Sequence, residues 1–228
     1  MIEFLFLDLD DTILDFHKAE RIALSKTIKE FGVEPTEEVL HRYHLINKWH
    51  WEQLELGKLT RAEVLTGRFK TLFAELNMEA DPTQVQAGYE KNLSIGHYFL
   101  PGAEETVEYL SKRYKLYLAS NGTAVVQKGR MTSANLYRFF QKSFVSEEIG
   151  HNKPSLAYFE AAFAQIPNFD KSRALMVGDS LSSDIKGGIN AGIKTCWVNP
   201  NHAPRNPAII PDYEIEALHQ LPALLETL

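Results

Sequence analysis

Three carboxylates, Asp8, Asp10 and Asp11, follow a run of apolar residues in "FLFLDLDDTILDF". Like charges this close cannot all ionise cheaply in a partly desolvated place, so the cluster needs a proton or a cation among its members. Three later stretches carry complementary residue types: "SNGT" beginning at Ser120, "NKP" with Lys153, and "GDSLSSD" with Asp179 and Asp184. Asp8 and Asp179 offer the hard oxygens that Mg²⁺ takes, an ion that keeps several waters and often a substrate phosphate oxygen. Ser120 and the backbone N–H groups of the Asn121-Gly122 turn suit phosphate oxygens, because glycine lets the backbone come close. Lys153 adds a point charge, and Pro154 is expected at the first position of a helix, which would hold the lysine at an electropositive N-terminus. Asp184 suits either a place around the metal or the acidic first turn of a helix, and the metal role is preferred. This set of residues points to phosphate chemistry at an acidic, Mg²⁺-binding site.

Those residues act together only if the fold brings them to one place. Short apolar runs at 4–8, 115–120, 143–146, 174–179 and 195–198 read as buried strands, with a last short one near Tyr213 to Ile215. Helical patterns at 101–114, 125–140, 155–165 and 183–191 supply the crossovers that parallel strands require. The expected core is therefore α/β, a doubly wound parallel sheet, and in such a sheet ligands collect beyond the carboxyl ends of the strands. The chemically equipped stretches all lie at those ends.

Residues 16–97 contain no convincing strand and are too long for a crossover. Four helices are expected there, over about 16–31, 36–56, 61–76 and 82–95. Gly32 would stop the first, Thr60 and Glu63 would cap the third as a box, and Asp81-Pro82 would start the fourth. The expected organisation is a core of residues 1–15 and 98–228 with an inserted all-helical cap at 16–97.

"DLDDT", "SNG", "NKP" and "GDSLSSD", in that order at strand ends, resemble the four motifs of the haloacid dehalogenase superfamily of phosphohydrolases. The insertion resembles the helical cap of that superfamily. "NKWHWEQLELGKLTRAEVLTGRF", "SEEIGHNKPSLAYFE" and "LMVGDSLSSDIKGGINAGIKTCWVN" are similar to its bacterial branch of nucleoside 5'-monophosphatases with pyrimidine preference. The resemblance implies that Asp8 attacks phosphorus to form an aspartyl-phosphate. It implies that Asp10 is the acid and base, with its carbonyl on the Mg²⁺ beside Asp8, Asp179 and Asp184. It places Ser120, Asn121, Gly122 and Lys153 on the substrate phosphate. True dehalogenases lack the second aspartate, so Asp10 favours phosphoryl transfer. Sugar-phosphate hydrolysis, a phosphomutase and an inactive metal-binding protein are the competing readings.

Other residues are assigned plainer duties. Asp11 and Thr12 are expected to shape the turn, and the glycines of "GGINAG" to pack a helix on the sheet. Tyr43, Trp49, Trp51 and Phe69 are expected in a helical core more than on a ligand. Asn47, Lys48 and Arg68 are noted as polar or basic residues within the nucleotidase-like stretches, and His44, His50 and His97 show no spacing that suggests a transition-metal site. The net charge of -6 disfavours a nucleic-acid polymer as partner. One cysteine, Cys196, excludes an internal disulfide, and its apolar setting suggests a buried thiol. No signal peptide or membrane-spanning run is evident, so a cytoplasmic protein acting on a small phosphorylated substrate is expected, its oligomeric state open.

Overall fold

The computed structural model describes residues 1–228. Strand β1 (Phe4–Leu7) is followed by helices α1 (Phe16–Glu30), α2 (Glu37–Glu55), α3 (Arg61–Glu75) and α4 (Pro82–Leu93). The α/β part continues through α5 (Ala103–Ser111), β2 (Lys115–Ser120), α6 (Ala124–Ser133), β3 (Lys142–Val145), α7 (Ser146–Ile149) and α8 (Leu156–Phe163). It ends with β4 (Ala174–Gly178), α9 (Lys186–Ala191), β5 (Lys194–Val198), β6 (Tyr213–Ile215) and α10 (Leu221–Leu225). By contact the chain divides into two compact units, one of Met1–Phe16 with His97–Leu228 and one of His17–Gly96.

In the first unit the six strands form one parallel sheet in the order β3-β2-β1-β4-β5-β6. The strands are apolar on both faces because side chains alternate and both faces are covered. Leu5, Leu7, Leu116, Leu118, Leu175 and Val177 pack with Val107 and Leu110 of α5, Met131 of α6 and Leu221 of α10. Phe4, Phe6, Tyr117, Ala119 and Met176 face the other way, against Tyr158, Phe159 and Ala162 of α8 and Ala191 of α9. The chain runs outward from β1 through β2 to β3, then from β4 through β5 to β6. The order therefore reverses between β1 and β4, which is where an open sheet leaves a crevice at its carboxyl edge.

The helix patterns hold with local corrections. The pattern over 125–140 breaks because Asn135 takes a left-handed backbone conformation, φ 52°, and Leu136 N–H donates to Met131 O at 2.9 Å, closing α6. A 3₁₀ turn, Tyr137–Phe139, occupies the remainder. Pro154 does not open α8. That helix begins at Leu156 with Ser155 as its cap, Ser155 Oγ accepting the Ala157 amide at 3.2 Å, so Lys153 is not held at the helix N-terminus. Residues Leu181–Ile185 form a π-helical turn ahead of α9, a feature that often marks functional sites.

The second unit follows its signals closely. Gly32 at φ 77° ends α1, with Val33 N–H reaching back to Ile28 O at 3.0 Å. Thr60 and Glu63 form the capping box of α3, and Asp81 caps α4 by accepting the Thr83 amide at 2.9 Å. Tyr43 stacks on Phe69 at 5.2 Å between centroids, and Tyr89 meets both rings edge-on, so these aromatics are core. Trp49 remains half exposed. No helix is long and apolar enough to cross a membrane.

Candidate functional site

Hydrogen bonding carries β1 one residue past its last apolar position: Asp8 N–H donates to Val177 O of β4 at 2.9 Å. Asp8 therefore emerges beside the end of β4, where Asp179 follows Gly178. Asp179 is located from two sides. Its amide donates to Thr12 Oγ1 at 3.1 Å, and its carbonyl accepts Trp197 Nε1–H from β5 at 2.7 Å. Thr12 is thus a brace between the two acidic loops. Asp11 sits at φ 53°, a conformation that aspartate tolerates better than most residues, and its Oδ1 accepts the Phe16 amide at 2.9 Å. That bond ties Asp11 to the start of α1, although its charge still acts on Asp179.

Lys153 reaches the centre of the cluster. Its ammonium donates to Asp8 Oδ1 at 2.7 Å, to Asp184 Oδ1 at 2.6 Å and to Ala119 O at 2.6 Å, with only 1% of the residue exposed. Burial works against the ammonium, but the Asp184 and Asp8 carboxylates outweigh it and hold Lys153 above its ordinary value. Asn121 fixes the lysine's backbone from both sides. Lys153 N–H donates to Asn121 Oδ1 at 2.8 Å, and Asn121 Nδ2 donates to Lys153 O at 2.9 Å. The Asn121 side chain is therefore committed to placing Lys153.

Asp184 enters from the π-helical turn, with its Oδ2 accepting the Ser180 amide at 3.1 Å. Gly178 makes room for it: a Cβ there would lie 2.2 Å from Asp184 Oδ2. Asp8, Asp179 and Asp184 have carboxylate oxygens that all lie within 4.8 Å of one another. Burial, then Asp184 and Asp10, push Asp8 up to about 8 even though Lys153 pulls it down. Burial, then Asp184 and Asp8, hold Asp179 well above the carboxylate range. One ammonium among three carboxylates leaves an excess of negative charge in a buried oxygen-rich site. That donor set fits a hard divalent cation, whose charge would bring Asp8 back to its ionised form.

The Asp10 carboxylate, in the loop after β1, is held by side chains of α6. Its Oδ2 accepts Gln127 Nε2–H at 2.7 Å, and its Oδ1 is ion-paired with the fully buried Arg130. Gln127 Nε2 also donates to Ser120 Oγ at 2.8 Å, and Gly122 N–H donates to the same oxygen at 3.1 Å. Ser120 thus keeps its hydroxyl proton for a further acceptor, whereas the Gly122 amide is already engaged inside the turn. Gln127 needs Gly122 to be glycine, since a Cβ there would fall 2.4 Å from Gln127 Nε2. Sequence reasoning passed over Gln127 and Arg130. Their three-residue spacing puts both on one face of the helix that leaves "SNGT", which was a readable sign.

In the helical unit, buried polar residues form a chain. Asn47 Nδ2 donates to Glu20 Oε1 at 2.6 Å, Arg68 donates to Asn47 Oδ1 at 2.7 Å, and Arg68 donates to Gln86 Oε1 at 2.7 Å. His44 Nδ1 lies 2.8 Å from Glu20 Oε2. Of the three histidines, His44 therefore does meet a carboxylate, contrary to expectation. Spacing along one segment missed it because Glu20 lies on α1 and His44 on α2. His50 turns inward, its Nδ1 2.8 Å from Ile46 O, and His97 is exposed.

Comparison with known proteins agrees with this arrangement. Residues 5–198 match the family model described as haloacid dehalogenase-like hydrolase. Pyrimidine 5'-nucleotidase PynA of Streptococcus pneumoniae is 38% identical over 96% of this chain and 93% of its own length. Pyrimidine 5'-nucleotidase YjjG of Escherichia coli is 32% identical over 98% of this chain and 97% of its own. The crystal structure of the hydrolase YfnB from Bacillus subtilis, bound to magnesium, is 40% identical with a TM-score of 0.94 over 98% of each chain.

Proposed function

Because the chain belongs to the haloacid dehalogenase-like hydrolase family, we propose that it is a Mg²⁺-dependent phosphomonoesterase acting on nucleoside 5'-monophosphates, pyrimidine nucleotides foremost. The observation that carries this reading is the meeting of Asp8, Lys153 and Asp184 at 2.7 and 2.6 Å, with Asp179 in the same cluster. A carboxylate nucleophile, a fixed cation and spare hard oxygen donors suit phosphoryl transfer through an aspartyl-phosphate. The names of the relatives PynA and YjjG support the choice of leaving group.

In the first step an Asp8 oxygen attacks phosphorus and the phosphorus–oxygen bond to the nucleoside breaks. Asp10 gives its proton to the departing alkoxide oxygen. In the second step Asp10 takes a proton from water, whose oxygen attacks the phosphoryl group and releases inorganic phosphate and the Asp8 carboxylate. The Ser120 hydroxyl holds a phosphate oxygen, and Lys153 holds another by turning the proton it gives Asp8 toward the phosphate, while Asn121 holds Lys153 in place. Gln127 and Arg130 fix the direction of the Asp10 carboxyl, and Asp184 fixes the lysine ammonium. Asp8, Asp179 and the Asp10 carbonyl would hold Mg²⁺, with Asp184 beside them. The ion would supply charge that lets an anionic carboxylate approach an anionic phosphate.

The test is phosphate release from a panel of nucleoside and sugar monophosphates, with and without Mg²⁺, for the wild type and Asp8→Asn. Pyrimidine nucleotides should lead the panel, activity should require Mg²⁺, and the variant should lose about 10³-fold or more. Undiminished turnover by Asp8→Asn would falsify the covalent mechanism. A sugar phosphate outpacing every nucleotide would remove the assigned leaving group and leave the chemistry standing.

A further inference from the structure

We propose that the helical unit carries a second metal site, distinct in chemistry from the carboxylate cluster: His17, Glu20 and His44 form a three-ligand site for a divalent ion of the zinc class. The nitrogen and oxygen donors of these residues all lie within 4.8 Å of one another. His17 and Glu20 are three residues apart on α1 and so share a face, and His44 comes to them from α2. The two imidazole rings are 4.7 Å apart between centroids, and His44 Nδ1 is 2.8 Å from Glu20 Oε2. A tetrahedral ion about 2.0–2.1 Å from each donor needs the donors roughly 3.4 Å apart, and the observed separations of 4.8 Å or less are close to that spacing.

Two imidazoles and one carboxylate with an open fourth position are a recurrent zinc ligand set, whereas Mg²⁺ prefers oxygens and several waters. The carboxylate is also supported as metal ligands usually are. Its second oxygen, Oε1, accepts Asn47 Nδ2–H at 2.6 Å, and Asn47 is held by Arg68, which is held by Gln86. That buried chain runs through α2, α3 and α4 and fixes Glu20, which is only 4% exposed, while His17 lies at the surface and gives an ion access. An ion there would tie α1 to α2. A plain Glu20–His44 hydrogen bond that takes no metal is the competing account, and the experiment separates the two.

The experiment is a Co²⁺ and Zn²⁺ titration of the full chain in the Asp179→Asn background, which weakens the carboxylate cluster. Visible absorption of Co²⁺ and competition by Zn²⁺ report binding. One Co²⁺ per chain is expected, with the absorption of a low-coordinate nitrogen–oxygen site, displaced by Zn²⁺ and not by an equal concentration of Mg²⁺. His17→Ala, His44→Ala and Glu20→Gln should each weaken Zn²⁺ binding by about tenfold or more. His17 is exposed, so His17→Ala gives a folded variant even if the buried substitutions disturb the helices, and circular dichroism checks each. Absence of binding overturns the proposal. So does Zn²⁺ affinity unchanged by His17→Ala and His44→Ala, or binding seen in the wild type and lost in the Asp179→Asn background.

Discussion

Asp8, Asp10 and Asp11 are near neighbours in sequence with three different surroundings. Asp8 shares Lys153 with Asp184, Asp10 is held by Gln127 and Arg130, and Asp11 caps a helix. The motif residues could be read from their types and order. The two α6 residues that hold Asp10 were missed because a buried arginine in a helix looks like surface charge until its partner is known. Asp179 gives a pH prediction. Its value is raised in the folded chain, so its contribution to stability is complete below the unfolded carboxylate value and is lost as pH rises through the folded one. Without metal, Asp179→Asn should therefore raise Tm more at pH 8 than at pH 5, and added Mg²⁺ should stabilise the wild type and reverse that advantage. Calorimetry at the two pH values checks it. Arg130→Met should lower kcat about 10–100-fold with a smaller change in KM if Asp10 is the acid and base proposed above, because the substitution frees the Asp10 carboxyl that Arg130 holds. Steady-state kinetics on the best nucleotide reads the split.

At the scale of elements, the site depends on two close approaches. Gly178 at the end of β4 admits Asp184, and Gly122 after β2 admits Gln127. Gly178→Ala should cost about 1–3 kcal/mol, because Asp184 is bonded to Lys153 and to the Ser180 amide and cannot move aside freely. Urea unfolding measures the loss, and phosphate release should fall with it. Strand positions were legible because each buried strand is a short apolar run with polar residues at its carboxyl end. Helix ends were less so. The fate of 125–140 turned on Asn135, whose left-handed conformation competes with helix continuation. The start of α8 turned on Ser155, whose capping hydroxyl outweighed the preference of Pro154 for a first turn. Ser155→Ala should cost about 1 kcal/mol in the same unfolding experiment.

For the whole molecule, the inserted helices were legible as a long strand-free interval, but the Glu20-Asn47-Arg68-Gln86 chain was not, since each partner lies on a different helix. Cys196 offers a probe of global opening. Burial pushes its thiol up to about 12, so thiolate is scarce in the folded chain at pH 8. Labelling by a thiol reagent should be negligible in native conditions and should follow the same urea dependence as complete unfolding. Fast native labelling would place local opening at β5.

The helical segment leaves and re-enters the first unit at adjoining points. Asp15 N–H donates to Tyr98 O at 2.7 Å, Leu100 N–H donates to Ile13 O at 3.0 Å, and Leu14 bridges Phe99. A detour of some eighty residues therefore starts and finishes at one hydrogen-bonded gate, so its length adds little to the entropy of closing the chain. Such a junction makes the excursion an exchangeable cassette. Helices could be lengthened, shortened or traded there over evolutionary time while Asp8 and Asp10 stay in register with the sheet.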